Sequence, residues 1–396
     1  MNISLVDLKT QYKSIEKEAK RKVNDVLSSA SYIMGKDVTE FEKEFAEYIG
    51  VKHAISVGNG TDALAVALMA CGIGKGDEVI TTPFTFFSTA ESISAVGATP
   101  VFVDVEVDTY NIDVTKIEEK ITKKTKAIMP VHIFGQPTKM DEINKIAKKY
   151  NLKVIEDVAQ AVGSEYKDKK CGAIGDVGCF SFFPTKNLGC AGDGGMITTS
   201  DDDIATIVRA LRTHGSGENG QRAYNLLNNI SEDVKTSEGH DDTVYNPLKY
   251  YNYLIGFNTR LDTVQAALLR VKLPYIDEWN EKRRVNAKMY NEKLKSSSLT
   301  LPVVIGEVKS VYNMYVVQSE NREEVVNELK ERGISTGIYY PVPMHLQKVY
   351  KDLGYREGDL PVSEYLSHRT FAIPIYPELT QEQKNYIVNN IVSICG

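Results

Sequence analysis

The stretch KVIEDVAQ, residues 153–160, decides the fold. After Lys153 it contains apolar residues typical of a buried strand, and these are followed by the acidic Glu156 and Asp157 and, at the end, by the amide Gln160. The preceding segment, TKMDEINKIAKKYN (138–151), has helical spacing, and Thr138 and Asp141 suit the start of a helix. A helix followed directly by a continuous apolar strand is the building unit of a parallel sheet that helices cover on both faces.

Six other apolar runs extend this pattern through the first half of the chain. They are AISV (54–57), EVITTPF (78–84), TPVFVDVE (99–106), KAIMPVHIF (126–134), GCFSFF (178–183) and GGMITTS (194–200). We therefore predict an α/β fold, in which a large domain contains a mainly parallel seven-stranded sheet flanked by helices. The pattern after residue 261 predicts a smaller α+β C-terminal domain, and we place the two domains at 1–250 and 251–396.

The composition of the 396-residue chain is that of an ordinary globular protein, with 42% hydrophobic and 25% charged residues. The net charge of −6 and the lack of a basic block argue against a nucleic-acid or membrane partner. Five cysteines without C-x-x-C spacing predict reduced thiols in the cytoplasm, and six histidines without a ligand pattern predict no metal site. The polar N-terminus predicts no signal peptide, and no apolar run approaches the ~20 residues of a membrane span.

Parallel sheets bind ligands beyond the carboxyl ends of their strands, so the segments that follow the strands are candidates for chemistry. GNGTDA (58–63) follows the first strand and fits the G-x-G-x-x-A pattern of a dinucleotide site. The acidic residue that would hold a ribose belongs at the end of the next strand, whereas Asp77 and Glu78 precede that strand. Two interpretations remain: a phosphate site at a helix N-terminus with the hydroxyl of Thr61, or an ordinary strand–helix turn.

Asp157 lies at the carboxyl end of its predicted strand, and Gln160 follows in the same turn. A buried carboxylate requires a cationic partner. That partner is either an arginine in the core or the protonated nitrogen of a pyridine ring, which an electron-sink cofactor carries. Phe84, Phe86 and Phe87 follow another strand, where aromatic residues are more often core than a platform for a flat heterocycle.

SFFPTKNLGCAGDGG (181–195) places Lys186 in an apolar, glycine-rich setting. Lysine forms Schiff bases where burial lowers its pKa, although a loop lysine that reaches solvent is the plainer interpretation. Ser181 ends a predicted strand, where its hydroxyl can bind a phosphate. An aldehyde cofactor with a phosphate and a pyridine nitrogen would engage all of these segments. Lys186 would form the imine, Asp157 would hold the ring nitrogen, and Thr61 and Ser181 would bind the phosphate.

Eight segments spread over nearly the whole chain carry a resemblance to a known family. They are NGTDAL (59–64), PVHIFGQPTKMD (130–141), VIEDVAQAVGSEY (154–166), SFFPTKNLG (181–189), GDGG (192–195), LRTHG (211–215), FNTRLDTVQAALLRVKL (257–273) and YYPVPMHLQ (339–347). Through these segments the chain resembles the DegT/DnrJ/EryC1/StrS group of sugar aminotransferases. Members of that group depend on pyridoxal 5'-phosphate (PLP) and have the fold of aspartate aminotransferase (fold type I).

The resemblance implies a role for each candidate residue. Lys186 matches the lysine that forms the internal aldimine and then moves the proton, and Asp157 matches the partner of the pyridinium nitrogen. The other implied cofactor contacts are Gln160 near the ring hydroxyl, Phe86 stacked on the ring, and Gly60, Thr61 and Ser181 at the phosphate. Asn258 matches a phosphate contact from the neighbouring subunit, which implies a homodimer with shared active sites. The implied substrate contacts are Arg260, Tyr340 and His345.

The resemblance also implies the reaction, which is amino transfer from L-glutamate to a UDP- or dTDP-linked keto sugar, making an amino sugar for a surface glycan or a related product. KNLG followed by GDGG is similar to members that act at C3 of the sugar, whereas members that act at C4 more often contain K-x-I-T-x-G-E-G-G. Transfer at C4 is one alternative. A PLP-dependent sugar dehydratase is another, although such relatives replace the lysine with histidine, and a PLP-binding regulatory protein is the third.

Residues 215–252 are polar and rich in Asn, Gly and Tyr. Long segments without secondary structure are uncommon inside compact domains, and many are lids or binding loops. We predict an insertion loop that closes over the sugar nucleotide as a lid, although a passive surface insertion fits the composition equally well. The side chains suited to a diphosphate and a nucleobase are Arg222, Tyr245, Lys249, Tyr250 and Tyr251.

Overall fold

The computed structural model describes residues 1–232, 234 and 250–396. The α-helices in these parts are α1 (Leu8–Ser29), α2 (Lys36–Ile49), α3 (Gly60–Ala70), α4 (Ser88–Ala95), α5 (Met140–Tyr150), α6 (Asp202–Leu211), α7 (Gly217–Asn228), α8 (Thr263–Lys272), α9 (Ile276–Leu294), α10 (Arg322–Glu331), α11 (Pro361–Arg369) and α12 (Gln381–Cys395). The strands are β1 (His53–Val57), β2 (Glu78–Thr81), β3 (Thr99–Phe102), β4 (Thr125–Ile128), β5 (Lys153–Asp157), β6 (Glu165–Tyr166), β7 (Lys169–Lys170), β8 (Val177–Ser181), β9 (Gly195–Thr199), β10 (Val308–Lys309), β11 (Tyr315–Gln318) and β12 (Thr370–Ile373). Among the described residues, none of the helices combines the length and the hydropathy that a membrane span requires.

The seven predicted strands form one sheet in the order β1–β9–β8–β5–β4–β2–β3. The pairs β5–β8, β4–β5, β2–β4 and β2–β3 are parallel, whereas β9 runs antiparallel to both of its neighbours, β1 and β8. The prediction of a mainly parallel seven-stranded sheet is therefore confirmed. Because β1, β2, β4, β5 and β8 all point the same way, the segments that follow them meet at one edge of the sheet.

Alternating side chains of the sheet reach two separate cores. On β8, Cys179 packs in the core that α3 and α6 cover, whereas Phe180 packs on the other face with α2 and α8. The ring of Phe180 lies 5.0 Å from that of Phe45 on α2, edge to face. Burial on both faces explains why these strands appear in the sequence as continuous apolar runs.

A smaller α+β unit follows, in which the two-stranded sheet β11–β12 packs with α9, α10 and α12. Its core also contains Ile3, so the start of the chain contributes to it. Helix α8 packs instead on α1 and α2, and its Ala266 and Leu269 belong to a core of the large domain. The bounds 1–250 and 251–396 stay a prediction, but the packing of α8 favours a boundary near the start of α9.

The expectation that residues 215–252 lack secondary structure is wrong for part of this segment. Gly217–Asn228 forms α7, which packs on α6 and buries Gly220 and Ala223. The signal for this helix was weak, since Gly220 and Ala223 have helical spacing but Leu227, one turn later, is exposed and most of the surrounding residues are polar.

Two of the side chains expected to recognise the nucleotide, Tyr245 and Lys249, lie outside the described residues. Arg222 forms a surface ion pair with Glu218, one helical turn away on α7. Gly217 N donates to the carbonyl of Tyr251 at 3.0 Å, so the two ends of the segment are held together. The lid function stays a prediction.

Candidate active site

Asp157 is a buried acid at the carboxyl edge of the sheet, because it ends β5 and is only 4% exposed. Thr89 Oγ1, at the start of α4, donates to Asp157 Oδ2 at 2.8 Å. The backbone N–H of Ala159 donates to Oδ1 at 3.1 Å. A third side chain supports this arrangement, since Thr85 Oγ1 lies 3.1 Å from Thr89 Oγ1. Two neutral donors therefore hold the carboxylate.

Asp157 forms no ion pair with any described residue, so the arginine partner that the sequence left open is not found there. Burial raises the pKa of Asp157, while the bonds from Thr89 and Ala159 and the charge of Lys186 oppose that rise. A buried carboxylate with a raised pKa and no cation in contact is suited to binding a cationic group of a ligand.

Lys186 is half-buried in the loop that joins β8 to β9. The base of this loop is closed, because Phe182 N donates to the carbonyl of Gly194 at 2.7 Å. Burial lowers the pKa of Lys186 to about 8, and the charge of Asp157 opposes that shift. An amine with this pKa exchanges its proton near neutral pH, so it can act as a nucleophile and as a general acid or base.

Gly60 begins α3 and lies against Ser181 at the end of β8. A Cβ at residue 60 would lie 2.7 Å from Ser181 Cβ and 3.2 Å from its Oγ, so only glycine fits there. The side chain of Asn59 caps the helix by accepting from Asp62 N at 2.8 Å. The free N–H groups of the first turn and the Ser181 hydroxyl thus share one corner, which suits a phosphate.

Thr61 and Ser88 extend this corner, since their Oγ atoms lie 2.7 Å apart. Ser88 begins α4, so the N-termini of α3 and α4 meet here. Sequence reasoning missed Ser88, and it also missed Thr85 and Thr89 beside Asp157. Their signal was the series of hydroxyl residues in TFFSTAES (85–92), directly after a strand.

Gln160 connects the large domain to the smaller one. Its Nε2 donates to Tyr340 Oη at 2.9 Å, and its Oε1 accepts from Phe134 N at 2.8 Å. The Tyr340 ring lies 6.0 Å from that of Phe84 and 6.3 Å from that of Phe134. The implied cofactor contact at residue 160 and the implied substrate contact at residue 340 therefore form one hydrogen-bonded unit.

Phe84 and Phe86 belong to the same loop but differ in burial. Phe84 is fully buried, as expected for a core residue, whereas Phe86 is 59% exposed. A phenyl ring that remains exposed next to Thr85 and Ser88 is available to a planar ligand. Of the aromatic residues in this loop, Phe86 therefore fits the implied stacking position, which stays a prediction.

Asn258 and Arg260 flank Thr259, which ties them to the start of α3. Thr259 Oγ1 donates to Asp62 Oδ2 at 2.5 Å and accepts from Gly58 N at 2.9 Å. Asn258 is exposed and Arg260 is half-buried. The structure therefore brings FNTRLD to the phosphate corner, whereas the contact of Asn258 with a second subunit stays a prediction.

His345 lies in the short 3-10 helix Met344–Leu346. The backbone N–H of Met344 donates to the carbonyl of Pro83 at 2.8 Å, which holds this helix against the loop after β2. Its side chain is buried, and Nε2 lies 2.9 Å from Glu364 Oε1. Nδ1 is buried and has no hydrogen-bond partner among the described residues. The imidazole thus lies inside the protein beneath the loop that carries Phe86, and its contact with substrate stays a prediction.

His132, Glu156 and Cys171 form a buried cluster next to Asp157, with potential ligand atoms within 4.8 Å of one another. The Glu156 carboxylate accepts from four donors: His132 Nε2 (3.0 Å) and the backbone N–H groups of Gly172 (2.9 Å), Ile174 (2.9 Å) and Gly175 (2.7 Å). His132 Nδ1 accepts the N–H of Thr138 at 3.1 Å, which requires a neutral imidazole with its proton on Nε2. Because both ring nitrogens of His132 and both carboxylate oxygens of Glu156 already have protein hydrogen-bond partners, we interpret the cluster as a hydrogen-bonded part of the core.

Comparison with known proteins identifies the family. A sequence model described as the DegT/DnrJ/EryC1/StrS aminotransferase family matches residues 13–392. The chain belongs to this family.

The chain is 43% identical to a "Pleiotropic regulatory protein" of Geobacillus stearothermophilus, over 99% of this chain and 98% of that one. It is 42% identical to dTDP-3-amino-3,6-dideoxy-alpha-D-galactopyranose transaminase of Aneurinibacillus thermoaerophilus, over 98% of each. It is 39% identical to UDP-N-acetyl-3-dehydro-alpha-D-glucosamine 3-aminotransferase of Acidithiobacillus ferrooxidans, over 96% of this chain and 95% of that one.

Solved structures of this family have the same fold. DesV of S. venezuelae, in complex with a ketimine intermediate, matches with a TM-score of 0.89 and 35% identity, over 99% of this chain and 98% of that one. NtdA of Bacillus subtilis, with bound cofactor PMP, matches with a TM-score of 0.84 and 27% identity, over 99% and 85%. The family is PLP-dependent, and the protein is a PLP-dependent aminotransferase.

The residues of this chain fit PLP. The corner between Gly60 and Ser181 is too tight for a Cβ but offers N–H and hydroxyl donors to a phosphate. Asp157 is a buried acid that lacks a cationic partner among the described residues, as expected for a residue that holds a protonated ring nitrogen. Lys186 supplies an amine of lowered pKa for the aldehyde.

Proposed function

We propose that this enzyme transfers the amino group of L-glutamate to C3 of a nucleotide-linked 3-keto sugar. Two relatives of about 40% identity support the position, since their names specify amination at C3 of a UDP- or dTDP-linked sugar. The sequence KNLG followed by GDGG, at 186–189 and 192–195, is similar to members that act at C3. The product would be an amino sugar for a surface glycan or a related compound.

The observation that carries the catalytic assignment is that Lys186 and Asp157 occur close enough for each charge to affect the pKa of the other. One is an amine with a pKa of about 8, and the other is a buried acid without an ion pair to any described residue. Both lie at the carboxyl edge of a parallel sheet, beside a corner of N–H groups and hydroxyls. Amine, acid and anion site match the aldehyde, ring nitrogen and phosphate of one cofactor.

Each of these residues has a defined task in the proposed reaction. When bound, PLP supplies an electron sink for the carbon that gains or loses the amino group. Asp157 keeps the ring nitrogen protonated, and Thr89 orients Asp157 through its hydrogen bond at 2.8 Å. Lys186 Nζ, once free, moves a proton to and from that carbon, for which a pKa near the working pH is favourable. Gln160, held by Phe134 N and Tyr340 Oη, orients the ring edge.

The proposed enzyme is a homodimer in the cytoplasm, with Asn258 completing the phosphate site of the neighbouring subunit. Asn258 is exposed and directly precedes Thr259, which bonds to the start of α3, and this placement supports the role. All five cysteines are free thiols, as a reducing compartment favours. Mixing Asn258→Ala with Lys186→Ala subunits should restore activity, because one site of each hybrid dimer then carries both intact residues. If mixing restores nothing after subunit exchange is verified, Asn258 does not act across the dimer.

The reaction is tested by mass spectrometry of products from UDP- and dTDP-linked 3-keto and 4-keto sugars with L-glutamate. We expect an amino sugar from a 3-keto substrate and one equivalent of 2-oxoglutarate. Amination of the 4-keto sugars alone would move the reaction to C4. Loss of water without 2-oxoglutarate would indicate a dehydratase, and no turnover with any substrate would favour a regulatory protein, as the name of one relative suggests. L-aspartate and L-alanine serve as control donors.

A further inference from the structure

Three buried asparagines, Asn187, Asn280 and Asn313, form a continuous amide network beneath the proposed catalytic lysine. They are 4%, 1% and 8% exposed. Asn187 Nδ2 donates to Asn280 Oδ1 at 2.6 Å and to the carbonyl of Val311 at 3.1 Å. Asn313 Nδ2 donates to Asn187 Oδ1 at 2.9 Å. The side-chain amide of Asn187, the residue directly after Lys186, is therefore fixed at both ends.

Asn280 extends the network to the loop that follows Asp157. Its Nδ2 donates to the carbonyl of Val162 at 3.0 Å, and its Oδ1 accepts from Asn187. Gly163 permits this approach, since a Cβ there would lie 2.8 Å from Asn280 Nδ2, and its φ of +82° suits glycine. One side chain on α9 thus bonds both to the loop that carries Lys186 and to the loop that follows Asp157.

We propose that the Asn187–Asn280–Asn313 network is a positioning device that fixes Lys186 relative to Asp157. The inference rests on the proposed roles of these two residues. Lys186 lies in the loop after β8, whereas Asp157 is the last residue of β5, and among the described residues no hydrogen bond or ion pair joins the two side chains. Asn280 supplies the shared support, and Asn313 with Val311 anchors it to the segment before β11.

The geometry favours positioning over simple stabilisation because of where the bonds lead. Asn286, also on α9 and 3% exposed, bonds to the carbonyl of Tyr376 and to Lys384 Nζ, which both belong to the smaller unit. Asn280, by contrast, bonds to the loop that carries Lys186 and to the loop that follows Asp157. The two asparagines share residue type, helix and burial, so Asn286 is a matched control.

The test compares Asn280→Ala with Asn286→Ala in the PLP-loaded enzyme. We expect both variants to lower the unfolding temperature. Only Asn280→Ala should lower kcat, by about 10- to 100-fold, with both KM values nearly unchanged, since a displacement of about 1 Å can cost about 100-fold in rate. A second measurement starts from the cofactor-free protein. The rate at which PLP attaches to Lys186, followed by borohydride reduction and peptide mass spectrometry, should fall in Asn280→Ala and stay unchanged in Asn286→Ala.

The outcomes distinguish a failure of the proposed function from a failure of the proposed positioning role. If wild-type protein yields no reduced adduct at Lys186, the proposed function itself fails. If Lys186 is labelled in wild type but Asn280→Ala retains wild-type kcat and attachment rate, the network only stabilises the fold and the inference is overturned. If Asn280→Ala does not fold, Asn313→Ala provides a milder test, because it removes only the bond to Asn187 Oδ1. This variant should lower kcat by several-fold. An unchanged kcat in Asn313→Ala would contradict the positioning role of the network.

Discussion

Glu156 and Asp157 are consecutive residues of β5, both nearly inaccessible to solvent, yet their surroundings are opposite. The Glu156 carboxylate accepts from four donors, one of them His132, and these bonds lower its pKa against the effect of burial. Among the described residues, the donors to the Asp157 carboxylate are Thr89 and the N–H of Ala159, and burial raises its pKa. Because successive residues of a strand point to opposite faces of the sheet, the Glu156 carboxylate meets His132 and the 172–175 backbone, whereas the Asp157 carboxylate meets the start of α4.

The comparison shows how burial alone fails to identify a functional acid. A carboxylate whose oxygens are saturated by donors in the folded chain is complete without a ligand. A carboxylate that is equally buried, but has fewer donors and no cation in contact, can be stabilised by the positive charge of a bound ligand. The balance of donors around each acid, rather than its depth, separates Glu156 from Asp157.

The largest effect is expected for Lys186, whose charge lies near Asp157 and not near Glu156. Lys186→Ala should reduce turnover by roughly 10⁴-fold or more and remove the borohydride-trapped adduct, because both the nucleophile and the proton carrier are lost. Lys186→Arg is the control that keeps a positive charge beside Asp157 but cannot form the adduct. An active Lys186→Arg enzyme would mean that charge balance, and not chemistry, requires the lysine.

Asp157→Asn tests the functional side of the pair. Turnover should fall by about 10²- to 10³-fold, as for other deleted electrostatic partners, while the phosphate corner continues to bind PLP. The cofactor-free protein should become more stable at pH 7, because the raised pKa makes the ionised carboxylate unfavourable once the pH exceeds its unfolded value of about 3.9. Near-normal turnover, measured with saturating PLP, would return Asp157 to a purely structural role.

Glu156→Gln tests the structural side. Each Glu156 oxygen accepts from two donors, so in the variant the amide NH₂ group would face two donors in either orientation. We expect the free energy of unfolding to fall by about 3–5 kcal/mol at pH 7. The folded pKa of Glu156 is lowered, so its stabilisation is present above the unfolded value of about 4.3 and is lost as the pH falls below it. Denaturant unfolding at pH 7 and pH 4 should therefore show a smaller difference from wild type at the lower pH. An equal or larger difference at pH 4 contradicts this account of the four donors.

Thr89→Val should give the smallest effect, since it removes one neutral donor from Asp157 without changing the volume of the side chain much. We expect turnover to fall by about tenfold, in line with about 1–1.5 kcal/mol for a single hydrogen bond. Thr89→Ser retains the hydroxyl and should recover most of the activity. If Ser and Val behave alike, packing of the methyl group matters and the bond at 2.8 Å does not.

Much of this architecture could be predicted from the sequence because the strands are buried on both faces and appear as uninterrupted apolar runs. Asp157 and Ser181 could be proposed from the sequence because they end recognisable apolar strands, and Lys186 because it follows Ser181 in an apolar, glycine-rich segment; their roles stay predictions. The antiparallel direction of β9 was not predictable in this way, since a buried strand has the same apolar pattern in either direction. Nor was the helix α7, whose buried residues Gly220, Ala223 and Asn225 form no continuous apolar face.

The supporting residues of the site were the least accessible to sequence reasoning. Thr85 and Thr89 are ordinary residues of a helix start until the fold places Asp157 beside them. Asn280 lies more than 90 positions beyond Asn187, and no local pattern connects the two. Such contacts depend on the packing of α9 on the large domain, which is a property of the three-dimensional arrangement alone.

The hydrogen bond from Phe182 N to Gly194 O has a consequence for engineering the enzyme. This bond extends the β8–β9 ladder by one step, so it fixes both ends of the loop that contains Lys186. The position of Lys186 in the site then depends on the number of residues between Phe182 and Lys186. A residue inserted between Phe182 and Lys186 would shift the amine along the chain and rotate it away from Asp157. An insertion near the exposed Ala191, after the lysine, leaves that spacing intact. Loop grafting or circular permutation in this region should therefore be tolerated on one side of Lys186 and not on the other.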